Sequence, residues 1–139
     1  PDLRMLALRK LTEAGLRAGV NCAPVLPGIT DTPTSLEAVV RAAAQARAHF
    51  VWANPLFLKP CAEKIFMPFL EEKFPALTGM YRERYAGKAY LPAPYQRRIT
   101  GLVKRLCDKH MIGSRGLSAR VNHAPFAEGQ IPLFDEAQV

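Results

Sequence analysis

The chain is 139 residues long, 49% hydrophobic and 22% charged, with a formal net charge of +7. That length bounds it at one domain or part of one, with enough apolar content for a core. No run of about 18 apolar residues exists, which excludes a membrane-spanning helix. The first residues lack the regions of a signal peptide. The sequence opens on Pro1 inside an amphipathic pattern and reads as a fragment or partial gene product. Cys22, Cys61 and Cys107 are odd in number and widely spaced, which points away from a disulfide framework and toward a reducing cytoplasm. None stands in a C-x-x-C or C-x-x-x-C-x-x-C arrangement, so each reads most simply as a small buried hydrophobe.

In chain order, Leu3, Leu6, Ala7, Leu11 and Ala14 recur at helical spacing, and Gly15 is a natural left-handed helix end. Val20 to Val25 is a short apolar run behind Gly19, set between two helical patterns, which predicts a buried parallel strand. Pro24 cannot donate to a ladder, so regular pairing is expected to stop there. Pro24 to Asp31 then form the loop at the strand's C-terminal end, where parallel α/β folds bind ligands. The next helix starts after Asp31. Thr32 before Pro33 is one N-cap arrangement and the capping box Thr34-Ser35-Leu36-Glu37 is the other. Leu36, Val39, Val40, Ala43 and Ala44 make its buried stripe.

Phe50 to Leu58 predicts a second strand limited by Pro55. A helix follows over Cys61 to Phe74, with Ile65, Phe66, Phe69, Leu70 and Phe74 on one face and Pro68 expected to kink or split it. Tyr81, Tyr85, Tyr90 and Tyr95 crowd among Arg82, Arg84, Lys88, Arg97 and Arg98. Aromatics interleaved with cations can stack on unpaired bases while the cations hold phosphates. The plainer reading is that the tyrosines pack on the fold. Ile99, Leu102, Val103, Leu106 and Cys107 form the stripe of a last helix, with His110 at its end and Gly113 as its stop. From Tyr81 to Arg120 there are ten Lys or Arg and two acids, so this block carries +8 and the remainder −1. Such a block suggests a polyanion partner, DNA among those that fit; a solvated basic surface is the other reading. From Ser114 onward the apolar period disappears into a polar, disordered-looking tail. His49 and His123 have no neighbours at ligand spacing.

Val20 to Asp31, with its Ala23-Pro24-Val25 and Pro27-Gly28, resembles the fifth-strand segment of radical S-adenosylmethionine enzymes of the spore photoproduct lyase-like, DNA-repair-photolyase group. Leu6 to Val20 resembles the preceding helix and turn. Tyr81 to Pro92 resembles a late segment of one actinobacterial-type subgroup. The resemblance implies an α/β fold, the second half of a partial (β/α) TIM-like barrel over residues 1–75. A helical basic and aromatic extension would follow at 76–113 and a flexible tail at 114–139. It implies a cytoplasmic bacterial enzyme that uses S-adenosylmethionine and a [4Fe–4S] cluster held by three cysteines and acts in DNA repair or nucleic-acid modification. That cysteine triplet is not in this chain, so the piece alone is expected to hold no cluster and to be inactive. By the same carry-over Asn21, Ala23, Pro24, Val25, Asn54 and Leu56 would line the cofactor, with Val25 and Leu56 near the adenine. Tyr81, Arg82, Tyr85, Lys88, Tyr90, Arg97 and Arg98 would face nucleic acid. No metal ligand is assigned. The alternative is a non-enzymatic DNA-associated module. Gln130-Ile131-Pro132-Leu133-Phe134 resembles the pentapeptide that docks bacterial repair proteins on the β sliding clamp. Gln130, Ile131, Leu133 and Phe134 fit that pattern and Pro132 departs from it.

Overall fold

The computed structural model describes residues 2–113. The tail, with the clamp-like residues Gln130, Ile131, Leu133 and Phe134, lies outside the described residues. The fold is mixed α/β, mostly helical, with one small parallel sheet of two strands. No barrel is formed among the described residues.

Helix α1 (Asp2–Glu13) leads into β1 (Val20–Val25), α2 (Pro33–Gln45) and β2 (Val51–Pro55). Helix α3 (Pro60–Lys73), a single 3-10 turn (Pro75–Leu77), α4 (Thr78–Tyr85) and α5 (Ala93–Lys109) complete it. Strands β1 and β2 pair in parallel, Val20 opposite Val51 and Cys22 opposite Ala53. Gly19 is required at the entry to β1, because a methyl there would collide with the Phe50 carbonyl oxygen and ring. Pairing breaks after Cys22, around the cis Ala23–Pro24 bond, and resumes with Val25 opposite Pro55. The strand therefore runs through Pro24 with an irregularity, rather than ending at it as the missing donor led one to expect.

Three helices end alike. The residue after the cap turns left-handed at Gly15 (φ 79°), Arg47 (φ 58°) and Met111 (φ 56°). The next amide reaches back five residues, Leu16 to Leu11, Ala48 to Ala43 and Ile112 to Cys107. This is the Schellman arrangement. Only Gly15 announces itself in sequence. The last helix is stopped by Met111, not by Gly113, whose added Cβ would instead meet the His49 carbonyl oxygen at 2.7 Å. Of the two possible caps on α2, Thr32 is the one used: the Ser35 amide donates to its Oγ1 at 3.2 Å. Pro68 lies inside α3 without splitting it.

Two apolar clusters hold the chain together. In one, Leu36, Val40 and Ala43 of α2, Ile99, Val103, Leu106 and Cys107 of α5, and Leu8 of α1 cover Val51, Ala53 and Val25. In the other, Leu70, Tyr81, Tyr85, Leu58 and Leu91 pack between α3, α4 and the strand-exit segments. Tyr95 touches both. Leu3, Leu6 and Leu11 of α1 are exposed, so the buried side of that helix is Leu8 with Met5 rather than the predicted stripe. Cys61 is exposed, against the expectation for all three cysteines. Burial pushes the Cys22 and Cys107 thiols up.

Candidate functional site

Among the described residues, the helices cover one face of the sheet only. Val20, Cys22, Val51 and Ala53 all belong to the covered side. Strand alternation therefore turns Asn21 and Ala23 of β1, and Trp52 and Asn54 of β2, to the other face. Asn21, Ala23 and Asn54 are exposed there and Trp52 is half-buried. Among the described residues the outer edge of β1 has no strand beside it. A groove of about 640 Å³ runs along it, lined by Arg4, Met5, Leu8, Val20, Asn21 and Val39.

Of the six residues assigned to a cofactor, this arrangement gathers Asn21, Ala23 and Asn54 on one exposed surface, with Pro24 exposed beside them. Leu56 is half-buried at the exit of β2. Val25 is corrected. Its side chain is fully buried in the helix-facing cluster and offers nothing to a ligand on the bare face. The cause is the irregularity at Ala23–Pro24: one slipped position moves a strand side chain to the opposite face.

The loop after β1 is held from several sides. Gly28 takes φ 72°, which lets the chain turn, and an added Cβ would sit 3.3 Å from Leu77. The Leu26 amide donates to Thr30 Oγ1 at 2.8 Å and the Gly28 amide to Asp31 Oδ1 at 2.8 Å. From α4, Tyr81 donates its hydroxyl to the Pro27 carbonyl oxygen at 2.9 Å, and Tyr85 donates to the Leu56 carbonyl oxygen at 2.7 Å. From α5, Tyr95 and Arg98 both donate to Asp31 Oδ2 at 2.8 Å. The Arg84 and Arg98 guanidinium carbons lie 5.6 and 4.9 Å from the centroid of the Tyr95 ring. Partial burial pushes the Asp31 carboxyl upward. The hydrogen bonds from Tyr95, Gly28 and Arg98, with the Arg98 charge, outweigh that and hold it below the ordinary carboxylate range. Burial pushes the Tyr85 phenol up to about 12 and the Tyr81 and Tyr95 phenols further.

The residues assigned to nucleic acid are thus split. Tyr81 and Tyr85 are corrected: they are buried, and their hydroxyls anchor backbone, so neither ring can stack on a base. Arg82 is exposed but paired with Glu71, and Arg98 is committed to Asp31. Lys88, Tyr90 and Arg97 are exposed. Sequence reading missed Asp31 as the polar centre of the site and Phe57 as a partner of Tyr90; those rings stack at 5.8 Å between centroids. Among the described residues no group of three or more His, Cys, Asp or Glu could hold a metal.

No family model matches the chain. It is similar to uncharacterized proteins of Mycobacterium bovis and Mycobacterium tuberculosis, each 32% identical over 112 residues, which is 81% of this chain and 33% of theirs. The chain therefore spans about a third of the length of the curated relatives it matches. No solved structure matches.

Proposed function

We propose that this chain forms part of a radical S-adenosylmethionine enzyme of the spore photoproduct lyase-like group, acting on nucleic acid, and supplies one wall of its (β/α) barrel. The observation that carries the reading is the parallel β1–α2–β2 unit with helices on one face and, among the described residues, nothing on the other. In a barrel of this type the bare face is the one that looks inward. The open edge of β1 is where a preceding strand would pair. The resemblance of Val20 to Asp31 supplies the rest.

The donor set here suits the organic cofactor better than the cluster. Exposed Asn21 and Asn54 offer amides for the polar parts of S-adenosylmethionine, and Ala23 and Pro24 offer a small apolar surface for its ring. The cluster would be held by cysteines outside this chain. When bound, the pair supplies hydrogen-atom abstraction; the part played by these residues is to bind and orient. The nucleic-acid half of the reading is supported by exposed Lys88, Arg97, Lys104 and Arg105. The pentapeptide Gln130 to Phe134 supports recruitment to the sliding clamp.

The test is made on the longer polypeptide encoded around this chain, reconstituted with iron and sulfide. S-adenosylmethionine binding is followed by calorimetry. Ala23→Glu should weaken it at least several-fold, since a charge would be set against the ring. Lys104→Glu, on the far side of α5, should leave it unchanged. A preceding sequence without C-x-x-x-C-x-x-C, or unaltered binding by Ala23→Glu, overturns the reading.

A further inference from the structure

Phe57 and Tyr90 break the ordinary pattern of aromatic burial. They are 53% and 59% exposed, although each is flanked by a buried leucine. Leu58 and Leu91 point into the second cluster, while Phe57 and Tyr90 turn outward. The two segments are tied at this point by the Leu58 amide, which donates to the Ala89 carbonyl oxygen at 2.7 Å. The rings therefore meet as an ordered pair, 28° from parallel, and stand in water as a step of two aromatic surfaces. The step lies just past the C-terminal end of β2, where parallel sheets place their ligands.

The charges nearest the pair along the chain are basic, with Glu63 and Glu83 further off. Lys59 is two residues beyond Phe57 and Lys88 two residues before Tyr90, both exposed. The backbone bends at Ala89 and Tyr90, so the two lysines are placed beside the rings by sequence position and exposure. Residues 84–98 hold four cations and no acid, and residues 56–62 hold one cation and no acid. A surface for another protein also favours aromatic residues but is ordinarily depleted in lysine. Two rings flanked by lysines match a base beside its phosphates instead, because every base has a face to stack and each phosphate a charge to neutralise.

We propose that Phe57 and Tyr90 form a stacking platform for an unpaired base of a polynucleotide, with Lys59 and Lys88 holding the adjacent phosphates. This rests on the reading that the protein acts on nucleic acid, and it names the form in which the strand is taken: single-stranded or locally opened.

The full chain is titrated against short fluorescein-labelled oligothymidylate and oligouridylate, with anisotropy as the readout. Phe57→Ala and Tyr90→Ala should each weaken binding by about 5- to 100-fold, the usual worth of one stacked base. Tyr90→Leu keeps apolar cover but removes the ring, and should weaken it as well. Phe57→Tyr and Tyr90→Phe should retain it. Lys88→Ala should lower the slope of affinity against salt by about one phosphate contact. The oligonucleotide bound more tightly identifies the backbone. Binding that falls with Arg97→Glu but is untouched by Phe57→Ala, Tyr90→Ala and Tyr90→Leu overturns the platform alone. No binding of either oligonucleotide by the parent chain overturns the nucleic-acid reading and the platform together. Helical circular dichroism of each variant confirms that the fold is retained.

Discussion

Asp31 collects three hydrogen bonds from two parts of the chain: Gly28 of its own loop, and Tyr95 and Arg98 of α5. Its carboxyl is held below the ordinary range in the folded chain, so ionised Asp31 favours folding above the unfolded value of about 4. That contribution fades as pH falls through the depressed folded value. Glu37 is lowered as well, by hydrogen bonds from Lys109 and His110, and adds in the same direction. Urea midpoints measured from neutral pH down to about 3 should therefore fall. Asp31→Asn should cost about 1–3 kcal/mol at neutral pH, with a difference from the parent chain that shrinks toward acid. A constant difference across that range would remove Asp31 from the linkage. A second residue points the other way. Thr78 Oγ1 is buried with no hydrogen-bond partner among the described residues. Thr78→Val keeps the shape and removes the unpaired hydroxyl, and should raise stability by up to about 1 kcal/mol in the same assay. None of this was legible in sequence. Asp31 and its partners are 64 and 67 positions apart, and no periodicity links a loop acid to a helix phenol.

At the level of elements, the chain's order was readable where local chemistry decides. Val20 and Val51 pair in parallel as the apolar runs predicted, and Pro55 ends β2. Local signals failed where tertiary packing overrides them. Met111 and Arg47 accept left-handed backbone that sequence reserves for glycine. Met111 is 93% exposed, so its side chain gives little back. Met111→Gly should raise thermal stability, by about 1 kcal/mol, through relief of the left-handed penalty. A loss of stability would show that the exposed thioether contributes more than its surface implies. Gly19→Ala should do the opposite and cost about 3 kcal/mol or more, since backbone cannot move out of the methyl's way. For Tyr81 and Tyr85 the structure shows the plainer of the two readings, packing on the fold; sequence could not choose, because a run of Tyr and Arg is the same whether its rings face water or a core. Their burial sets an alkaline limit. With folded phenols raised above the ordinary value of about 10, stability is complete below that pH and is lost as pH climbs through the raised values. Tyrosinate absorbance for these groups should rise together with the loss of helical dichroism. Phenolate appearing in a chain that keeps its helices would contradict the burial.

Across the whole molecule, the balance of covered and uncovered surface is uneven. Helices α2 and α5 finish one side of the sheet, while Leu3, Leu6 and Leu11 of α1, and Ile65 and Phe69 of α3, stay in water. A two-stranded sheet is marginal by itself, so the helices on its covered face hold it. Exposed apolar surface of this kind associates. Sedimentation of the chain should show a mass that rises with concentration, and Leu3→Glu with Leu6→Glu should reduce that rise without altering helical dichroism. A single monomeric species at all concentrations would mean that these leucines are too scattered to act as a patch.

Two of the three phenols that clamp the strand exits reach main-chain oxygen rather than side chains: Tyr81 takes Pro27 and Tyr85 takes Leu56. Every amino acid carries that acceptor. Pro27 is itself fully buried, so replacing Leu56 is what changes the surface a visiting molecule meets, and the anchoring bond stays available. The loops can thus drift toward new specificities while their supports stay fixed, and a mutational library confined to Leu26, Ile29 and Leu56, which spares buried Pro27, left-handed Gly28 and the Thr30 hydroxyl, should yield many folded members. The same library built at positions 81 and 85 should yield few.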